Sequence, residues 1–402
     1  MHNARLGELV DYPFQRLRTL LDGVRAGTEP TIDLAIGEPR HAAPPMVAAT
    51  LARAAAGWGK YPPTEGTPAL RQAIAVWLTR RFALAPGLID AERNVLVVAG
   101  TREALFMAAL VATPRQKGRR WTAVLMPNPL YQVYFGAAIA AGAEPILLPA
   151  DKASGYQPDL GALPSELLDR TALVYLNSPA NPQGSVLARD RLAQALALAR
   201  RHDFVLAVDE CYSEIYTSAQ PPMGALEAAG GALDHLLVFH SLSKRSNVPG
   251  LRSGFVAGDE ALITLFKRLR HYGGAQVPLP VQEASLALWQ DETHVAENRA
   301  LYRAKFELAA ATLGPAGAPP GGGFYLWLEV GDGEAIARRL WAEAGLRVMP
   351  GAYMARTDAA GRNPGAGHIR VALVDDLATT RTALERLRPI LVQAGAQSVR
   401  AP

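Results

Sequence analysis

The 402-residue sequence predicts an α/β chain: a mainly parallel central sheet flanked by helices, plus a smaller α+β domain. Three observations carry this expectation. Short, unbroken apolar runs recur through the middle of the chain, the pattern of strands buried on both faces. Amphipathic helical stretches separate them. From about Glu297 the pattern changes, and the total length exceeds one ordinary domain.

Taken in order, the apolar runs at 95–99, 123–126, 145–148, 171–176, 204–208 and 236–239 read as buried strands. Gly100 and Thr101 follow the first and open a helical run through 103–109. Between two later strands, residues 189–201 place Leu192, Leu196 and Ala199 on one helical face. Beyond Glu297, Leu301, Ala304 and Leu308 stripe a long helix ending near Gly314, and 321–328 reads as a glycine-led strand. The expected division is a large domain over 45–296 and a small domain built from 1–44 and 297–402.

Hydrophobic residues make up 49% and charged residues 19%, a soluble balance with material for a sizeable core. The 41 basic and 37 acidic side chains leave a net charge of +4. These charges are dispersed, which argues against nucleic acid as a partner and suits small anionic substrates. Cys211 is the single cysteine, so no internal disulfide can form; it follows an apolar run and reads as a buried structural thiol. The first residues lack a signal-peptide core, and no apolar run approaches the roughly 18 residues of a membrane span. A cytoplasmic protein without a membrane or metal site is expected. Neither a G-x-x-x-x-G-K-[ST] loop nor a G-x-G-x-x-G turn after a strand is present, so nucleotide-binding readings lack support.

Ligands of open α/β sheets bind at the carboxyl ends of the strands. Four chemical groups fall there: Gly100-Thr101, Asn181, Asp209 and the run Ser241 to Lys244. Lys244 offers an amine nucleophile once burial or a nearby cation, Arg245 or Arg252, lowers its pKa. Ser241, Arg252 and the helix start at Gly100-Thr101 suit a phosphate. Asp209 suits a pyridine nitrogen, although a helix-capping Asp is the plainer alternative. Tyr212 and Asn181 can reach a phenolic oxygen. Pyridoxal 5′-phosphate (PLP) is the cofactor that uses all of these at once. Tyr131 either stacks on the ring or packs in the core, and core packing is the better reading for Tyr134. Arg370, mid-strand in His368-Ile369-Arg370-Val371, needs an anionic partner: a substrate carboxylate or an internal salt bridge.

The run S-L-S-K-R-S-N-V-P-G-L-R-S-G over 241–254 resembles the PLP-attachment signature of the fold-type I, class I/II aminotransferases. The resemblance covers almost the whole chain. It implies that Lys244 bonds the cofactor and later shuttles a proton, with Asp209 on the ring nitrogen and Tyr212 and Asn181 on the phenolic oxygen. It further implies Tyr131 stacking on the ring, and Ser241, Arg252, Gly100 and Thr101 around the phosphate. Gly37 and Arg370 are implied to grip the substrate α-carboxylate. Tyr61 resembles a tyrosine that reaches the neighbouring subunit's phosphate, in a homodimer with shared active sites. One departure is Gln183, where the family usually has Thr.

The pieces D-E-C-Y-S-E-I-Y (209–216) and N-P-G-A-G-H-I-R-V-A-L (363–373) resemble, more narrowly, proteobacterial N-succinyl-diaminopimelate aminotransferases. That implies transfer of the amino group of glutamate to N-succinyl-2-amino-6-oxopimelate in lysine biosynthesis. Such substrates carry further carboxylates, and Arg102, in the turn after Gly100, is the expected second cation at the site. An aspartate or other acidic or aromatic amino-acid aminotransferase shares the same motifs. A PLP lyase would release product without a keto-acid acceptor. A PLP-domain transcription regulator would need room for a winged helix ahead of Gly37.

Overall fold

The computed structural model of the protein describes residues 4–118 and 120–395. Its main sheet has seven strands: β1 (Val95–Val98), β2 (Ala123–Asn128), β3 (Glu144–Pro149), β4 (Thr171–Asn177), β5 (Val205–Asp209), β6 (Leu236–Ser241) and β7 (Gly254–Gly258). Their spatial order is β1-β7-β6-β5-β4-β2-β3. The pairs β2–β3, β2–β4, β4–β5 and β5–β6 are parallel, whereas β7 runs antiparallel to both β1 and β6.

All six expected runs form strands, and β7 is an addition. Its sequence, Gly-Phe-Val-Ala-Gly, is short and ends in glycines, so it carries little strand signal. The link from β6 contains a four-residue helix and one 3-10 turn and returns to the sheet end it left, so β7 enters reversed.

Successive residues of β5 are all buried, on alternate faces of the sheet. Leu206 and Val208 join a core with Trp77, Phe255 and Trp289 on one face, while Val205 and Ala207 join Tyr134, Tyr175 and Phe266 on the other. Each fully buried Leu, Val or Phe contributes roughly 1.5–3 kcal/mol, so cover on both faces is what makes continuous apolar runs stable.

The helices that matter for the site are α1 (Pro13–Leu21), α2 (Thr101–Ala112) and α3 (Gln132–Ala140). Helix α4 (Arg189–His202) buries Leu192, Ala195, Leu196 and Ala199, the face its spacing predicts. Helix α5 (Thr293–Leu313) runs unbroken through residue 297, where the domain division was expected. Beyond it a second apolar core gathers Phe306 and Leu313 with α6 (Gly333–Ala344) and α7 (Leu377–Gln393). This core covers an antiparallel sheet of β8 (Tyr325–Glu329), β9 (Met349–Pro350) and β10 (His368–Ala372), in the order β8-β10-β9. Ile32 and Asp33 pair in parallel with Leu346 and Arg347, bringing the N-terminal segment against this C-terminal part.

The glycine-led strand begins later than its sequence pattern indicates, at Tyr325 rather than Gly321. Gly322 instead lies flat on the loop after β4: a Cβ there would stand 2.4 Å from Pro179, and its N–H donates to Gly184 O at 3.0 Å. Among the described residues, no helix is long and apolar enough to cross a membrane.

Candidate active site

Six parallel-running strands end on one side of the main sheet, and their following loops converge there. Register places Asn177 beside Asp209 across β4 and β5, and Gly254 between Ser241 and Val98. The result is a cavity of about 500 Å³ lined by Gly37, Thr101, Arg102, Tyr131, Asn181, Asp209, Tyr212, Ser241, Lys244, Arg252 and Arg370, among others. Gly37 and Arg370, 333 positions apart in sequence, thus share one space. Gly100 lies just behind Arg252, while Tyr61 is 101% exposed and does not line this cavity.

Lys244 sits in the short helix Leu242–Arg245 that β6 leads into. Its Nζ donates to Gly37 O at 2.6 Å. Burial lowers its pKa to about 8; Cys211 and Glu38 oppose the shift, and Arg370 and Arg252 add to it. An amine so placed loses its proton far more readily than a surface lysine. Arg245 makes no part of this. It is 2% exposed on its side chain, pairs with Glu292 at 2.8 Å and stacks on Trp289 at 4.8 Å, on the side of the helix away from the cavity. The expectation that it helps depress Lys244 is therefore corrected.

Asp209, 6% exposed, ends β5. Its Oδ2 accepts from the Tyr134 hydroxyl at 2.8 Å and its Oδ1 from the Cys211 N–H at 3.2 Å. Burial pushes the carboxyl pKa up, and these hydrogen bonds hold it down. Among the described residues it has no arginine or lysine partner, which leaves a buried carboxylate suited to a protonated ring nitrogen. It caps no helix. Tyr134 is a core residue, as its pattern indicates, stacked on Tyr175 at 4.6 Å, yet its hydroxyl also orients Asp209. Cys211 departs from expectation: it lies on the cavity wall, with Sγ 3.1 Å from Thr101 Oγ1.

A second corner offers donors to an anion. Ser241 caps the Lys244 helix, its Oγ accepting from the Ser243 N–H at 3.1 Å and meeting Ser243 Oγ at 2.9 Å. Thr101 begins α2, whose first-turn N–H groups lack helical acceptors. Arg252, in the left-handed region at φ 54°, donates to Pro249 O at 2.9 Å. Gly100 is at φ 87°, and a Cβ there would stand 2.4 Å from Arg252 Nη2, so glycine is what lets the guanidinium approach the helix start.

Arg370 enters from β10, 3% exposed, with its guanidinium carbon 4.3 Å from the centre of the Tyr325 ring. Nη1 donates to Asn181 Oδ1 at 3.0 Å and Nη2 to Ala35 O at 2.7 Å, while Nε is buried without a partner. It has no carboxylate ion pair among the described residues, so the internal salt-bridge alternative falls. Tyr212 hydroxyl lies 3.0 Å from Tyr325 hydroxyl. Gly37 is forced by the same tyrosine, since a Cβ would stand 1.8 Å from its oxygen. Arg102 Nε donates to the Tyr131 hydroxyl at 2.9 Å. Sequence reasoning missed Tyr325 here, because it does not stand out by residue type or spacing.

An amine of lowered pKa, a buried carboxylate without an ion pair, a phosphate-sized donor corner and a guanidinium without a carboxylate partner together fit PLP and an amino-acid carboxylate. The sequence model described as aminotransferase class I and II matches residues 29–387. The chain belongs to the class I and II aminotransferases. Its cofactor is pyridoxal 5′-phosphate. Among curated relatives, this aminotransferase is 36% identical to 4-dedimethylamino-4-oxo-anhydrotetracycline transaminase OxyQ of Streptomyces rimosus, over 86% of this chain and 92% of that one. It is 30% identical to an LL-diaminopimelate aminotransferase of Dehalococcoides mccartyi, over 92% and 94% of the two chains. Among solved structures it resembles an aminotransferase of Neisseria meningitidis, with a TM-score of 0.90, 42% identity and 97% and 100% coverage. A probable N-succinyldiaminopimelate aminotransferase of Thermus thermophilus matches with a TM-score of 0.81 and 26% identity, over 94% and 100%.

Proposed function

We propose that this PLP-dependent aminotransferase moves the amino group of glutamate to N-succinyl-2-amino-6-oxopimelate, reversibly. The observation that carries the amino-acid reading is Arg370, a buried guanidinium that lines the cavity without a carboxylate of its own and suits a substrate α-carboxylate. Arg102 adds a second cation to the same cavity. The names of the Dehalococcoides and Thermus proteins favour a diaminopimelate-type substrate, and that of OxyQ points to a different acceptor.

When bound, PLP carries the amino group between the two substrates and takes up electrons released at the α-carbon. Lys244 Nζ, lying against Gly37 O, is the base that takes the α-proton and returns it. Asp209, oriented by Tyr134, would hold a proton on the ring nitrogen. Tyr212 and Asn181 would hold the ring's phenolic oxygen, and Tyr131 would pack against the ring. Ser241, Thr101, Arg252 and the α2 N-terminus would hold the phosphate, with Gly100 making room. Arg370 and Gly37 orient the substrate α-carboxylate, and Arg102 takes the side-chain carboxylate of glutamate.

The enzyme acts as a cytoplasmic homodimer in this reading, with the fully exposed Tyr61 as the residue that would serve the second copy's phosphate. The test is absorbance of the yellow cofactor-loaded protein against a panel of amino donors and keto acids. Bleaching by glutamate, with recovery on adding the succinylated keto acid, is the expected result. Recovery with oxaloacetate alone would reassign the enzyme to aspartate.

A further inference from the structure

Beyond Tyr131 the cavity wall continues into a rim stitched from two distant segments. Asn128, 4% exposed at the end of β2, accepts from the Arg356 N–H at 2.9 Å and donates to the Arg356 carbonyl at 2.9 Å. Leu130 N–H donates to Met354 O at 2.9 Å, and Gln132 Nε2 to Tyr353 O at 3.3 Å. These four hydrogen bonds tie residues 353–356 to the loop that carries Tyr131. Met354 and Gln132 line the cavity, as does Pro13 at the start of α1.

Two guanidinium groups stand beside these rim residues, just outside the cavity lining itself. Arg356, half-buried, lies 4.0 Å over the Phe135 ring, one helical turn past Gln132. Arg16, one turn past Pro13, lies 3.9 Å over the Tyr353 ring. Neither has an ion pair among the described residues, and Arg356 Nε is buried without a partner. Burial lowers the pKa of Arg356, and the like charge of Arg16 lowers it further. Neighbouring cations held on ring faces without an ion pair are costly until an anion joins them, and the carboxylate nearby, Glu334, is bonded to the Tyr353 hydroxyl.

We propose that Arg16 and Arg356 form a second anion subsite that receives the far carboxylate of a long α-amino or α-keto diacid. The inference rests on reading the cavity as an amino-transfer site with the α-carboxylate at Arg370. Arg102 then serves glutamate, while the rim pair discriminates longer substrates from shorter ones. The planar guanidinium forks suit a carboxylate, and their stacking on rings orders them before the ligand arrives.

The probes are straight-chain dicarboxylates, glutarate, pimelate and azelate, with heptanoate and nonanoate as single-carboxylate controls. Each is measured as a competitor of glutamate on the cofactor-loaded enzyme, in the wild type, Arg16→Gln and Arg356→Gln. In the wild type, inhibition should strengthen about tenfold or more from glutarate to the longer diacids, the size expected for charged hydrogen bonds. That gain should shrink to about threefold or less in each variant and be missing from the single-carboxylate series. If a glutamine variant does not fold, the corresponding lysine variant should show an intermediate gain. A length dependence that survives in both variants, or that the single-carboxylate acids reproduce, overturns the subsite. A failure of glutamate to bleach the cofactor would instead overturn the amino-transfer reading on which the subsite rests.

Discussion

Arg370 Nη1 donates to Asn181 Oδ1 at 3.0 Å, which joins the small antiparallel sheet to the loop after β4. The bond leaves the guanidinium aimed at the cavity, with Nε still unpartnered. Arg370→Gln should therefore lower kcat/KM for glutamate on the order of 10²–10³-fold, the cost of leaving a substrate carboxylate without its buried cation. The cofactor spectrum should persist. An unchanged kcat/KM in single-turnover measurements with glutamate would remove Arg370 from the substrate site.

Lys244→Ala should abolish turnover while the fold stays intact, because it removes the amine and leaves the short helix and its Ser241 cap in place. Treatment of the wild type with cofactor and borohydride should label position 244, read by peptide mass spectrometry. Labelling at Lys305 instead would displace Lys244 from its role.

Tyr134→Phe tests whether the buried hydroxyl tunes Asp209. Losing a donor to a buried carboxylate costs about 1–3 kcal/mol. The carboxyl pKa should then rise further, weakening its hold on a ring proton. Cofactor affinity and kcat should drop about tenfold, with a smaller effect than Asp209→Asn. Equal values for Tyr134→Phe and the wild type, by fluorescence titration of cofactor, would confine Tyr134 to packing.

Gly100→Ala should loosen the phosphate corner. The new methyl group would meet Arg252 Nη2 at 2.4 Å, and φ at 87° is unfavourable for alanine. Dissociation of PLP, followed by dialysis, should quicken about tenfold or more, with little change in the substrate preference of the loaded enzyme. Retention of PLP as in the wild type would show that Arg252 can move aside freely.

Lys305 is 1% exposed and outside the cavity lining, with Nζ 2.6 Å from His41 Nε2 and 3.1 Å from Leu373 O. Burial lowers its pKa to about 8 from 10.5, against the pull of Asp375 and Asp376. The unfolded chain thus binds more protons than the folded one between pH 8 and 10.5, so this lysine makes stability rise with pH in that window. Its slope approaches ~1.4 kcal/mol per pH unit at most. Lys305→Met should flatten the rise, measured as urea midpoints at pH 7.5, 9 and 10.5. Parallel curves for variant and wild type would show that Lys305 titrates normally.

Much of the site was legible before folding because its chemistry is concentrated in short runs at strand ends. Ser241, Lys244 and Arg252 lie within twelve positions, and Asp209 and Tyr212 within four. The family resemblance, rather than periodicity, supplied the roles of Gly37 and Tyr61. Residues whose contribution depends on a distant partner were read only as packing or not at all. Tyr134 carried the signal of a core aromatic, and Arg245 adjoins Lys244 yet faces Trp289 and Glu292.

By itself the sequence determined the six parallel strand runs, the turn residues at their carboxyl ends, and hence the kind of cofactor that fits between them. Tertiary structure alone decided that Arg370 meets Asn181 rather than a carboxylate, that β7 runs backwards, and that Arg16 and Arg356 share one rim. The physical reason is that periodicity and turn chemistry act over a few residues along the chain. Which side chains neutralise or strand one another is set by sheet order and loop crossings, which join positions hundreds of residues apart.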